Sequence, residues 1–174
     1  MVTPKHTIVA LVADRPGVLN RVASLFRRRG FNIESIAVGA SELPGVSRMT
    51  IIVDGANTLV EQVRKQLDKV IDVVKVTDIS GDATISRELA LIKVKTTPGS
   101  RSEIMQIVDI FRAKIVDVAS DSLTVEVTGD DAKVTSLYNL FKPFGVKEIS
   151  RTGVVAMTRG LVVGAEEENN KEEG

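Results

Sequence analysis

The chain has no cysteine and no tryptophan, one tyrosine, five phenylalanines and a single histidine, His6. Without cysteine there can be no disulfide, thiolate metal site, iron–sulfur cluster or cysteine nucleophile. A lone histidine denies one chain a histidine-based triad or a histidine-cluster metal site. So few aromatics leave no stacking platform for bases and no sugar-binding cleft. No apolar run approaches the roughly 18 residues of a membrane span, and Met1 to Ala13 show no apolar leader core followed by a small-residue cleavage site. The expected compartment is the cytoplasm. Net charge is lacking too, with 23 basic residues against 23 acidic ones. The balance is uneven, because residues 161–174 hold Glu166, Glu167, Glu168, Glu172 and Glu173 against Lys171 alone. The body is left weakly basic, too weakly to argue for nucleic acid. What is present is an ordinary globular composition, 43% hydrophobic and 26% charged over 174 residues, enough for one compact domain or two small ones.

The pattern divides the chain into two similar halves. Lys5–Ala13 (KHTIVALVA) is strand-rich and runs into Asp14-Arg15-Pro16-Gly17, a turn and helix-start signal. Val18, Leu19, Val22, Leu25 and Phe26 follow at helical spacing, and Gly30 closes that helix as a left-handed terminator. Asn32–Ala40 and Ser47–Asp54 read as strands around Leu43-Pro44-Gly45. A second helix carries Leu59, Val60, Val63, Leu67 and Val70, and Val73–Ile79 is a fourth strand. The order then restarts with a strand at Ile85–Lys95 and a helix bearing Ile104, Ile107, Val108 and Phe111. Strands at Lys114–Ala119 and Leu123–Thr128 come next, then a helix with Val134, Leu137, Tyr138 and Phe141, and a last strand at Val146–Arg151. Pro16-Gly17 matches Pro98-Gly99 at an offset of 82, and Phe26-Arg27 matches Phe111-Arg112 at 85. Such drift indicates an old duplication with altered loops. The expected fold class is α+β, two ferredoxin-like βαββαβ units at residues 1–80 and 81–160, joined by Ser80–Thr84 and followed by an acidic, disordered tail at 161–174. Each sheet would bury one face under its helices, so the other face and the edges need cover, and pairing of sheets in a dimer supplies it.

Catalytic constellations are thin. Ser35, Ser47 and Ser86 have no adjacent base, no spacing gathers carboxylates for Mg²⁺, and no Walker or Rossmann glycine loop occurs. No catalytic residue, no metal site and no cofactor are assigned to this chain. The segment with most physical content is Asp14-Arg15-Pro16-Gly17-Val18-Leu19. Free N–H groups at a helix N-terminus suit a carboxylate, and Gly17 leaves their approach open. Asp14 would either cap the helix or accept from a ligand ammonium. Pro-Gly at such a turn is also an ordinary structural device, as Pro98-Gly99 shows by repeating it. Asn32 is either a turn residue or a donor–acceptor pair that fixes the polar head of an amino acid. Arg27-Arg28-Arg29 suits a solvated helix end.

Three longer stretches carry a resemblance. GFNIESIAVG at 30–39, RELALIKV at 87–94 and RTGVVAM at 151–157, set within DRPGVLNRVASLFRRRG and IVDIFRAKIVDVASDSLTVEVTG, make the chain resemble the regulatory (small) subunits of acetolactate synthase from about Lys5 to Gly160. That resemblance implies an N-terminal ACT domain and a homodimer whose two ACT sheets join side by side. It implies a subunit without catalysis of its own, acting on a catalytic subunit that carries thiamine diphosphate, Mg²⁺ and FAD. Such subunits raise catalytic activity and confer feedback inhibition by valine or another branched-chain amino acid. By position, the effector would lie between Asp14, Gly17, Val18 and Leu19 of one chain and Asn32 and Ile33 of the other. Many members carry Asn at the position of Asp14, whose added carboxylate bears on effector affinity. The face with Arg21 and Arg28 and the segment Arg151–Arg159 form the candidate surface for the catalytic subunit. Neither a membrane nor a nucleic acid is expected as a partner. The rival readings are a free-standing ACT-type amino-acid sensor, an RNA-recognition module and an acylphosphatase. The first lacks a spare DNA-binding unit, the second lacks strand aromatics, and the third lacks its Gly-Arg substrate loop.

Overall fold

A computed structural model describes residues 5–55 and 57–160. The tail expected at 161–174 lies outside the described residues. The first unit comprises β1 (Lys5–Ala13), α1 (Val18–Arg29), β2 (Ile33–Ala40), β3 (Val46–Asp54), α2 (Asn57–Leu67) and β4 (Val73–Asp78). Its antiparallel sheet runs β2-β3-β1-β4. The period-2 alternation of Ile8, Ala10 and Val12 on β1 and of Met49, Ile51 and Val53 on β3 turns these side chains to one face. Val22, Leu25 and Phe26 of α1 and Val60, Val63 and Leu67 of α2 close over it. Gly30, at φ 68, ends α1 with its N–H on the Arg27 carbonyl, in the left-handed conformation its position demanded.

The second unit repeats the plan with β5 (Thr84–Lys95), α3 (Arg101–Ile110), β6 (Lys114–Val118), β7 (Ser122–Gly129), α4 (Asp131–Phe141) and β8 (Val146–Arg151). Its sheet order is β6-β7-β5-β8, equivalent to the first. Ala90, Ile92, Val94, Val125 and Val127 meet Ile104, Val108, Val134, Leu137 and Phe141 in a separate core. Two ferredoxin-like βαββαβ units are therefore present.

Three details differ from the sequence reading. Val146–Arg151 is not the last strand, because β9 (Val155–Thr158) pairs with Thr84–Arg87 at the start of β5. Four residues are too few for a periodic signal, and the pairing partner lies some seventy positions away. Thr84 belongs to β5, so the connection between units ends at Ala83. The second helix stops at Leu67, and Val70 packs on the core from the following turn.

The extra strand has a consequence for the uncovered face of the first sheet. Ala156 of β9 packs on Val9 and Ile79 in a small third cluster, and the Arg48 guanidinium donates to the Ala156 carbonyl at 2.9 Å. Thr50 and Ile52 on the same face are buried as well. Part of the cover expected from sheet pairing thus comes from the chain itself. What stays open is the β2 edge, where Val38 is 47% exposed beside Ala37, Gly39 and Ala40.

Candidate functional site

Gly17 caps α1 at φ 90, a conformation that favours glycine, and no side chain caps the helix. Asp14 therefore does not serve as the N-cap; its own N–H donates to the Gly45 carbonyl at 2.8 Å, which ties the loop to the β2–β3 turn. The Asp14 carboxylate is exposed and makes no hydrogen bond or ion pair among the described residues. The amides of Gly17, Leu19 and Asn20 likewise find no acceptor there, so the positive end of α1 is open. A Cβ built on Gly17 meets nothing within 4 Å, which leaves room for a ligand to approach the backbone.

The loop is held from behind. Asp72, its side chain fully enclosed, accepts from Arg15 Nε at 2.7 Å and pairs with both the Arg15 and Arg21 guanidinium groups. Its backbone carbonyl also accepts from Ala13 N–H at 2.8 Å. The Arg15 hydrogen bond, then that of Arg21, holds the Asp72 carboxyl below the ordinary carboxylate range against the opposing effect of desolvation. Arg21 thus holds Asp72 while more than half of its side chain stays exposed. Nothing in the local pattern around Ile71-Asp72-Val73 signals this role, because the partners lie more than fifty positions away.

The other assigned positions fall into distinct environments. Val18 is buried in the core and offers only backbone, whereas Leu19 is 51% exposed and presents its side chain beside the open amides. Asn32 is exposed just before β2, and Ile33 packs partly against the core. Within one chain these two groups do not meet. Ala13 pairs with Val46 at one end of β3, while Ile33 pairs with Val53 at the other. Seven residues of strand, about 23 Å, separate the two ends.

At the Ile33 end the two units meet. Glu34 pairs with Lys5, Lys5 lies 3.7 Å from Asp131, and Arg151 bonds Asp131 at 2.7 Å and Glu88 at 2.9 Å. The Glu88 side chain is only 2% exposed. Arg151 is thus tied into this ion-pair chain and Ala156 is buried, while Thr152, Val155, Met157, Thr158 and Arg159 of the segment Arg151–Arg159 stay exposed. The hydrogen bond from Arg151 keeps the Asp131 carboxyl below its usual range.

Asp72 and Asp131 set a pH dependence. Both titrate lower in the folded state than in the unfolded one, so their stabilisation is complete above the ordinary carboxylate pKa of about 4 and is lost as pH falls through the depressed values. The urea midpoint is expected to hold between pH 7 and 5 and to fall steeply below about pH 4. Asp72→Asn should lower the midpoint at pH 7 and flatten that acid fall; an unchanged acid slope in this variant would contradict the assignment.

The comparisons with known proteins fit this architecture. Residues 8–75 match the AHAS small subunit-like ACT domain, and residues 87–160 match the small subunit of acetolactate synthase. The chain belongs to the acetolactate synthase small-subunit family. It is 55% identical over 157 residues to the acetolactate synthase small subunit of Mycobacterium leprae, covering 90% of this chain and 93% of that one. It is 54% identical over 156 residues to a probable small subunit of Archaeoglobus fulgidus, covering 90% and 98%. A crystal structure of the acetolactate synthase small subunit of Thermotoga maritima superposes with a TM-score of 0.85 at 46% identity, covering 91% of this chain and 99% of that chain. In this small-subunit chain the first ferredoxin-like unit is accordingly an ACT domain. No cluster of three His, Asp or Glu side chains able to hold a metal occurs among the described residues, and no described helix is long and apolar enough to cross a membrane.

Proposed function

We propose that this chain is the effector-sensing subunit of acetolactate synthase: a homodimer that activates the catalytic subunit and makes it sensitive to valine or another branched-chain amino acid. In this reading thiamine diphosphate, Mg²⁺ and FAD belong to the catalytic subunit, and this chain supplies regulation alone.

One observation carries the reading. The open amides of the loop and the Asn32–Ile33 pair lie at opposite ends of one sheet, on either side of an exposed apolar edge. Two β2 edges joined antiparallel about a two-fold axis bring the Ile33 end of one copy beside the Ala40 end of the other, next to that copy's loop. Each two-fold pair then completes two equivalent sites. A valine carboxylate would meet the Gly17, Leu19 and Asn20 amides, the Asn32 amide of the second copy would take part of the polar head, and Leu19 with Ile33 would flank the isopropyl group. Asp14, unpaired and exposed, is placed to accept from the ammonium.

An effector bridging two chains stabilises one dimer arrangement, with coupling of about 1–3 kcal/mol in typical cases. Isothermal calorimetry tests the site: valine should bind the dimer with one molecule per chain. Binding to a forced monomer with equal affinity would refute a site shared between copies.

A further inference from the structure

The three stretches that carry the family resemblance, 30–39, 87–94 and 151–157, meet in space at one seam. Val154 N–H donates to Ser35 Oγ at 3.1 Å. Gly153 sits at φ +81, and a Cβ there would stand 3.0 Å from both the Ile36 carbonyl oxygen and Ser35 Oγ. The backbone of the β8–β9 loop therefore lies close against β2, and a Cβ at this left-handed position would strain the loop and press on β2. Beside it, Glu34 of β2 joins Lys5 in the ion-pair chain that runs through Asp131 to Arg151 and buried Glu88. These groups line a cavity of about 520 Å³ between the units.

Strand β2 needs such support. Within one chain it is an edge strand, paired on one side only to β3, and its pairing shifts register between Ile33 and Ser35, an irregularity that pairing with a second copy on the other side does not remove. A bulged edge strand is poorly fixed by its own ladder. Ser35 and Glu34 are the residues directly after Ile33, so whatever holds them also sets the position of Asn32 and Ile33.

We infer that Gly153 and Ser35 are positioning residues for the effector site, through which the second ferredoxin-like unit holds the β2 end of the first in binding geometry. This inference rests on the effector reading above, and it names residues some distance from the ligand. Neither residue touches the effector; each acts through β2.

The test compares full-length Gly153→Ala, Ser35→Ala and Ser35→Thr, each reconstituted with the catalytic subunit and titrated with L-valine, alongside calorimetry and sedimentation of the small subunit. Gly153→Ala should weaken valine binding at least tenfold, and Ser35→Ala several-fold, while both remain dimers and still stimulate the catalytic subunit. Ser35→Thr, which keeps the acceptor oxygen, should bind valine close to wild type. Should Gly153→Ala not fold, the two Ser35 variants decide the matter alone. Valine affinity unchanged in both alanine variants would overturn the inference. So would loss of the dimer in step with loss of binding, since the seam would then serve association. Wild-type protein that binds no valine would overturn the effector reading and this inference with it, a failure visible before any variant is made.

Discussion

Gly17→Asp is expected to abolish valine inhibition while leaving stimulation of the catalytic subunit intact. Gly17 is the N-cap of α1 at φ 90, and a side chain there costs roughly 1–2 kcal/mol in the left-handed region. A Cβ at this position meets nothing within 4 Å, so the variant should fold. The new carboxylate would sit over the open amides where the effector's own carboxylate belongs. An acid at a helix N-terminus is favourable for the helix itself, so the substitution occupies the site with a charge that the dipole welcomes. Effector affinity should fall by about two orders of magnitude, close to 2.7 kcal/mol. The measurement is valine titration of acetolactate formation by the reconstituted holoenzyme. Inhibition at wild-type concentrations would place the effector elsewhere.

Val38→Asp should separate the dimer and remove valine binding together. Val38 is 47% exposed in a run of Ala37, Val38, Gly39 and Ala40 on the free edge of the sheet. An aspartate there would have to give up its water in the paired edge without a cation opposite, which costs several kcal/mol. The dimer dissociation constant should rise at least about a hundredfold. Because the loop and Asn32–Ile33 lie at opposite ends of one chain's sheet, a monomer holds only half of each site. Sedimentation and calorimetry on the same sample check both effects. A Val38→Asp dimer that binds valine normally would move the interface away from β2.

Much of this architecture was legible locally. The helix stop at Gly30, the turn at Leu43-Pro44-Gly45 and the period-2 strands of both units each rest on residues a few positions apart, where turn chemistry and periodicity operate. The open N-terminus of α1 was legible for the same reason, since Pro16-Gly17 before an apolar helix implies free amides. Single side chains were less so. The apolar stripe reading put Leu19 with Val18, yet Val18 enters the core and Leu19 faces water beside the site. Asp14 read as either a cap or an acceptor for a ligand ammonium; Gly17 occupies the cap position, which excludes the first of these. Long-range devices left no local trace. Asp72 reaches Arg15 across 57 positions, and Val154 reaches Ser35 across 119. Strand β9 is four residues long and makes sense only once the start of β5 lies beside it.

The difference has a physical cause. Local signals report the free energy of short segments, whereas the loop clasp at Asp72 and the seam at Gly153 exist only after the elements have packed. Ion pairs such as Arg151 with Glu88 are decided by burial, which composition does not reveal. The family resemblance pointed to the loop and to Asn32–Ile33 as the proposed effector positions, and the topology puts these two groups at opposite ends of one chain's sheet.

The most direct test is acetolactate formation from pyruvate by the catalytic subunit of the same organism, measured alone, with this protein added, and with valine added to the mixture. Stimulation by the small subunit and its reversal by valine are expected, with leucine and isoleucine as the comparison effectors. Absence of stimulation, together with failure of the two chains to co-purify, would contradict the proposed regulatory role.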